Sequence, residues 1–432
     1  MRYVFLTIII FMLCSVQGFS QISFKEYFPG DTVLKAEGTM TSDSVKTGLW
    51  KTWYPSGALE SKGEMLNGEP IGKWRYWYSF GMKWKTQTYG DGRDTVWFAA
   101  GNIKSTGPVV NGEKSGIWTL FHPNGIKKDS VNYQQGLKQG KAKSWFESGV
   151  LSFEGEFVND SLSGYCKWYR GNGSLEMEGE VVKDLQQGMW KFYYPNGKLG
   201  SEGVFIDGMR NGEWSFYYET GEDWKKGSFE NDLREGEWIV WYENGQVHHK
   251  GSFVNDKEDG LWIQWYADGN VSYQGYFRNG EMHGQWEGWY PDGVLKYRNN
   301  YAGNLRDGMS QYWYENGQMK YQGYFKNGMR DGHWVEWSPH GICIREGDYK
   351  SDAKEGKWTF YDEAGVRIRE QYFINNQPDG PWKTFHMNNT LSAEGKYTNG
   401  MKQGTWKFYD ETGKLMRKVV YKDDRMISNS TD

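Results

Sequence analysis

Hydrophobic positions along this chain do not follow a helical period. Short aromatic and aliphatic runs are closed by pairs such as Asn-Gly, Asp-Gly or Asn-Asp, and the whole pattern recurs. Gly marks the recurrence at 48, 72 and 92, and then every 24 residues to 404; only the step from 72 to 92 is shorter, at 20. This makes 16 repeats over residues 48–427. Counted from that Gly as zero, Trp fills +2 in 12 repeats and an aromatic residue fills +5 in all 16. Gly fills +9 in 15 repeats and +15 in 11, +11 is usually aliphatic, and +17 is most often Phe or Tyr. A fixed period of this length marks a repeat architecture and overrides any estimate of domain number from length.

The spacing predicts strands. Asn-Gly at +8 and +9, as in Asn196-Gly197 and Asn316-Gly317, is a strong hairpin signal, because both residues tolerate the positive φ of a type I′ turn. A two-residue turn there pairs +6 with +11, +5 with +12 and +2 with +15, so the +2 Trp faces the +15 Gly across the ladder. Strand parity then places +2, +4, +6, +11 and +15 on a packed aromatic face, and +3, +5, +12 and +14 on a polar face. One hairpin cannot bury its apolar side alone, whereas a stack of hairpins can. The predicted fold is all-β: an elongated single-file array of antiparallel hairpins, one per 24-residue repeat. Thirty-two strands spaced by about 4.8 Å give a length of roughly 150 Å before twisting. Residues 21–47 read as an N-terminal cap or partial repeat, since Tyr27-Phe28-Pro29 and Gly38 echo Trp53-Tyr54-Pro55 and Gly63. Residues 428–432 read as a flexible tail.

Composition agrees with this reading. The 432 residues include 57 Gly, 24 Trp, 30 Tyr and 22 Phe but only 10 Ala, which argues against a helical bundle and against a doubly wound α/β enzyme. Residues 1–20 have the layout of a secretory signal peptide, with Arg2 ahead of an apolar run from Val4 to Leu13. That run is too short to span a bilayer well, and no other segment approaches a transmembrane length. The expected location is outside the cytoplasm: periplasmic, at the cell surface or secreted. Cleavage shifts the net charge from −4 to −5, which offers no basic patch for nucleic acid or anionic lipid. Cys166 and Cys343 lie more than seven repeats apart, too far for a disulfide in a linear array.

The unit G-x-W-x-x-[WY]-Y-x-x-G-x-L-x-x-x-G-x-F-x-N-G resembles the MORN-repeat variant common in bacterial proteins. Residues 188–211, GMWKFYYPNGKLGSEGVFIDGMRN, show it nearly whole. The resemblance implies an elongated sheet of successive hairpins that binds or scaffolds rather than catalyses. Some bacterial members carry an antitoxin-like label, which fits an exported chain poorly. The pattern lapses in places: the second repeat is short, and Asp94, Ala142, Cys166 and Ser310 replace the +2 Trp. Near Cys166, Trp168 at +4 is placed to fill the vacated space.

No catalytic motif, metal set or cofactor signature survives this reading, and the chain is expected not to be an enzyme. His248 and His249 are adjacent, so strand parity would turn them to opposite faces, a poor metal pair. The candidate site is the +5 row: Trp53, Trp77, Trp97, Trp145, Trp241, Trp265, Trp289, Trp313 and Trp337 form a ladder on an otherwise polar face. Such a row either stiffens a thin sheet or offers large contact area at low entropic cost. The expected function is an extracytoplasmic scaffold for a protein partner. The alternative is glycan or cell-wall binding, although wall-binding aromatic hairpin repeats usually have a shorter period. Neither nucleic acid nor a cofactor is expected, and the end strands could pair with a second copy. Small-angle scattering should return a pair-distance distribution skewed to long distances; a compact profile would contradict the single-file array.

Overall fold

The computed structural model describes residues 20–30 and 32–431. Apart from Ser20, the expected leader lies outside the described residues. All regular elements described are β-strands, and no helix is long and apolar enough to cross a membrane. The chain divides into two units, one ending at Gly197 and the other beginning at Lys198. Within each, strands pair antiparallel with their neighbours in the chain, as an open meander. A typical repeat has a first strand from −3 to +5 and a second from +11 to +18, as in Leu233–Trp241 and Val247–Val254. Ahead of the repeats, Ile22–Tyr27 and Leu34–Met40 form one hairpin. The last strand, Arg425–Thr431, pairs with Leu415–Lys422 and so includes residues expected to form a loose tail.

Each repeat makes two different turns, and the sequence reading assigned the type I′ geometry to the wrong one. At the +8/+9 turn only the +9 residue has positive φ, for example Gly245 at 84° and, where Gly is replaced, Asn389 at 64°. The N–H of Gly57 donates to the carbonyl of Tyr54, and the N–H of Tyr54 to that of Ala58. This is a three-residue loop: a type I turn closed by one left-handed residue. The type I′ turn lies at +19/+20, where both residues have positive φ, as in Asn255 and Asp256 at 50° and 67°.

The three-residue loop shifts the ladder by one, so that +5 pairs with +11 (Trp53 with Leu59) rather than with +12. A bulge at +12 then shifts it back, and +2 pairs with +15 (Trp50 with Gly63), the pairing expected from the spacing. A second irregularity joins successive repeats. Glu180 pairs with Gln187 and Gly179 with Trp190, which leaves Gly188 and Met189 unopposed. Gly188 takes φ 66° there, a value that favours Gly.

The tryptophan ring does not lie over the Gly of its own repeat. Trp74 pairs with Gln87 on one side, but its ring covers Gly63 of the repeat before. The same backward seat holds for Trp190 on Gly179, Trp214 on Gly203 and Trp262 on Gly251, and Gly38 of the N-terminal hairpin seats Trp50. A Cβ on any of these Gly residues would collide with the indole. Most seated indole N–H groups also reach the preceding repeat, donating to its +16 carbonyl, as Trp190 does to Glu180 at 2.9 Å and Trp358 to Asp348 at 3.0 Å; among the described residues that of Trp406 is buried without a partner. Eleven of the twelve +2 Trp residues are buried. The +17 side chains pack edge-on beside them, as Phe253 does against Trp262 at 5.1 Å between centroids.

Lapses in the pattern follow from the seat. Ala142 and Ser310 replace Trp where the preceding +15 residue is Val131 or Asn299, not Gly. Ser310 instead donates a buried 2.5 Å hydrogen bond to Asn299. Trp382 follows Gln371, has no seat, and is the one +2 Trp left half-buried. It packs against Trp406 at 4.8 Å. Beneath Cys166, the seat of Gly155 is closed by Phe153 and the Cys166 sulfur, while Trp168 stacks on Trp190 instead of filling it. Among the described residues, Cys166 and Cys343 are free thiols.

Replacing a seat residue, Gly251→Ala, should cost about 1–3 kcal/mol through overpacking against Trp262. Gly171→Ala, where a Cβ meets nothing within 4 Å, should be neutral or slightly stabilising. Urea denaturation of both variants measures the difference, and equal midpoints would reject the seat as a constraint.

Candidate functional site: an unpartnered tryptophan strip

All nine predicted +5 Trp residues are half-buried strand residues. Trp53, Trp77, Trp97 and Trp145 belong to the first unit, and Trp241, Trp265, Trp289, Trp313 and Trp337 to the second.

The backbone under the second set is held firmly. A Tyr at +6 of each preceding repeat donates its hydroxyl to the carbonyl of the +5 Trp: Tyr218 to Trp241 at 2.8 Å, Tyr242 to Trp265, Tyr266 to Trp289 and Tyr290 to Trp313 at 2.9 Å, and Tyr314 to Trp337 at 3.0 Å. Asn at +8 adds a parallel link between turns, as Asn244 Nδ2 does to the Ala267 carbonyl and Asn316 Nδ2 to that of Pro339. These side chains therefore space successive repeats. The sequence reading took the Asn for a turn former and placed the +6 Tyr on the packed face opposite +11, whereas its hydroxyl links it to the next repeat.

The tyrosines at +5 share one feature of the preceding repeat, its +14 residue. Where +5 is Tyr, that residue is Glu and accepts the phenol: Tyr169 to Glu154 at 2.8 Å, Tyr193 to Glu178 at 2.7 Å, Tyr217 to Glu202 at 3.1 Å, Tyr361 to Glu346 at 2.7 Å and Tyr409 to Glu394 at 2.9 Å. Burial and the Glu bond push the phenols of Tyr169 and Tyr361 up to about 12. Hydrogen bonds from Tyr169 and Lys143 hold the Glu154 carboxyl below its usual range.

Where +5 is one of the five consecutive Trp residues, the corresponding residues are Lys226, Lys250, Gln274, Arg298 and Gln322. These bond elsewhere: Lys226 to Glu213 at 2.8 Å, Lys250 to Glu237 at 2.7 Å, Arg298 to Glu287 at 2.8 Å. Gln274 donates to Glu287, and Gln322 accepts from Gln311. Among the described residues, none of the five indoles has a hydrogen-bond partner or a ring contact. The +5 aromatics thus divide into tyrosines tied to the sheet and a run of tryptophans that the fold positions but does not use.

One expectation about chemistry is corrected. The +12 bulge brings His248 and His249 together, with their Nδ1 atoms 3.2 Å apart. Burial lowers both imidazole pKa values, and His248 lowers that of His249 further. Among the described residues, no three His, Cys, Asp or Glu side chains gather where a metal ion would need them.

The geometry defines a repeat protein in which each hairpin is completed by its neighbours. Nine segments match the family described as MORN repeat variant: 46–67, 138–159, 186–207, 234–255, 258–279, 282–302, 306–327, 354–375 and 402–423. The chain belongs to these MORN-variant repeat proteins. Comparison with curated proteins gives no match. Among solved structures, the chain is similar to the TcdB2-TccC3 crystal structure, with 10% identity over 92% of this chain and 27% of that one, at a TM-score of 0.14. It is also similar to the Photorhabdus luminescens Tc holotoxin pore, with 10% identity over 90% of this chain and 24% of that one, again at 0.14. The chain spans about a quarter of the length of each. A score this low marks backbones that do not superpose as wholes.

The Tyr–Glu bonds predict a pH dependence with a defined sign. A phenol raised from 10.0 to about 12 stabilises the fold below pH 10, and that stability is lost as pH climbs through about 12. A carboxyl lowered from 4.5 stabilises above that pH, and this is lost as pH falls through the depressed value. The urea midpoint should therefore decline on both limbs, and the double variant Tyr169→Phe, Tyr361→Phe should show a shallower alkaline limb. An unchanged alkaline limb would show that these bonds contribute nothing.

Proposed function

We propose that this protein is a non-enzymatic scaffold acting outside the cytoplasm, and that the strip from Trp241 to Trp337 holds an extended segment of a protein partner. The observation that carries this reading is the run of five indoles without partners in adjacent repeats, each on a backbone gripped by the Tyr before it. Successive indoles are two strands apart, about 9.6 Å, so the five cover roughly 40 Å. A strip positioned before binding costs little entropy to engage, and flat aromatic surface suits it to carry most of the contact energy. The leader-like start, Met1 to Ser20, supports the exported location.

A second reading rests on the even spacing of the same row. Sugar rings stack on exposed indoles, and a regular row suits an extended polysaccharide. The last strand, Arg425–Thr431, is exposed at every residue and is the natural point for pairing with a second copy.

The test replaces Trp265, Trp289 and Trp313 together by Ala. Wild type and variant are compared in capture from envelope protein extract, and in cosedimentation with purified peptidoglycan and other polysaccharides. The expected outcome is a protein captured by the wild type alone, with the far-ultraviolet circular dichroism of both unchanged. Cosedimentation lost in the variant, without protein capture, would establish the glycan reading in its place. Loss of fold in the variant would assign the row to the sheet itself.

A further inference from the structure

The face of the seated tryptophans carries a separate feature in the second unit. Glu336, Arg345, Phe360 and Arg369 are successive cross-strand neighbours at one level of the sheet. The Arg369 guanidinium lies 4.1 Å from the centre of the Phe360 ring. The Lys354 ammonium lies 5.5 Å from the same ring, 4.7 Å from Trp358 and 5.1 Å from Phe373. Two nearby cations are neutralised: Arg345 by Glu336 at 2.6 Å and Arg330 by Asp352 at 2.8 Å. Among the described residues, neither the Lys354 ammonium nor the Arg369 guanidinium has a carboxylate at ion-pair distance or a hydrogen-bond acceptor, although Glu336 attracts Lys354 from further off. The Nε atoms of Arg345 and Arg369 are buried and equally without acceptors.

Half-buried charges of one sign, crowded without counter-ions, are unfavourable. Burial, and then repulsion from Arg345 and Arg369, pushes the Lys354 pKa below its ordinary value. Aromatic faces offset part of that cost, about 0.5–2 kcal/mol per cation, but they accept no conventional hydrogen bond. What the site lacks is an anion with several acceptor oxygens.

We propose that Lys354 and Arg369, beside the unpaired Nε of Arg345, form a binding site for an oxyanionic group, a carboxylate or phosphate, next to Phe360. An oxyanion answers each deficiency. Its oxygens accept from the Arg369 fork and the Lys354 ammonium, and its charge relieves their repulsion. The site lies on the opposite face from the tryptophan strip, so its failure would leave that reading untouched.

Thermal melts of the full chain, followed by intrinsic fluorescence at constant ionic strength, test the proposal. Inorganic phosphate should raise the wild-type midpoint above that in chloride, and the shift should vanish in Lys354→Gln, Arg369→Gln. Without phosphate, the double variant should melt at or above wild type, because repulsion has been removed. The single change Arg369→Gln should weaken phosphate binding about tenfold. An oligoglutamate peptide and polygalacturonate serve as further ligands. A shift with the peptide alone assigns the oxyanion to an acidic protein segment, and a shift with polygalacturonate alone assigns it to an acidic glycan. The proposal is overturned if the double variant melts well below wild type while phosphate shifts both proteins equally. The cations would then be structural clamps on the rings.

Discussion

An indole can lie flat across a β-strand only where that strand carries no side chain. In this protein the bare position belongs to the repeat before, so every seated Trp is bound to a neighbour rather than to its own hairpin. The ring hides apolar surface, and its N–H, that of Trp406 apart, takes the neighbour's +16 carbonyl. Both interactions cross the repeat boundary. Repeat proteins depend on such interface contributions, because a single unit has too little core to stand alone. Trp382 shows the constraint in its absence: Gln371 occupies the strand beneath it, and the ring stays half-exposed.

The same boundary settles what each face is free to do. Bulges at +12 and at the repeat junction add residues on one strand at a time and raise the local twist. One face is filled by seated indoles, edge-on +17 rings and cations stacked over them. On the other, Tyr–Glu bonds tie down the +5 row in some repeats and leave it unengaged where Trp241 to Trp337 follow Lys, Gln or Arg. A sheet that satisfies its own needs on one face can carry variable side chains on the other without losing register.

Much of the architecture was legible. The 24-residue period, the hairpins and the pairing of +2 with +15 all follow from spacing and parity. That last pairing was correct for an incomplete reason. The loop is one residue longer than expected, and the +12 bulge restores the offset. Spacing counts residues, and cannot distinguish a two-residue turn from a three-residue loop followed by a bulge. The same bulge defeats strict alternation at His248 and His249, which share a face rather than oppose each other. The +5 row was legible as a set of residues but not as two classes, because the Glu that separates Tyr from Trp comes from the previous repeat.

The amino-acid sequence by itself determined the repeat, the all-β class and the residues available to each row, since these depend on local conformational preference and on period. Tertiary structure decided where each side chain ends its reach. Trp190 is paired with Gly179, but only the packed sheet shows its ring leaning back over it. Arg345, Phe360 and Arg369 are 15 and 9 residues apart in the chain, yet stand side by side across three strands. Whether their charges find counter-ions depends on strand neighbours, which a linear reading cannot weigh.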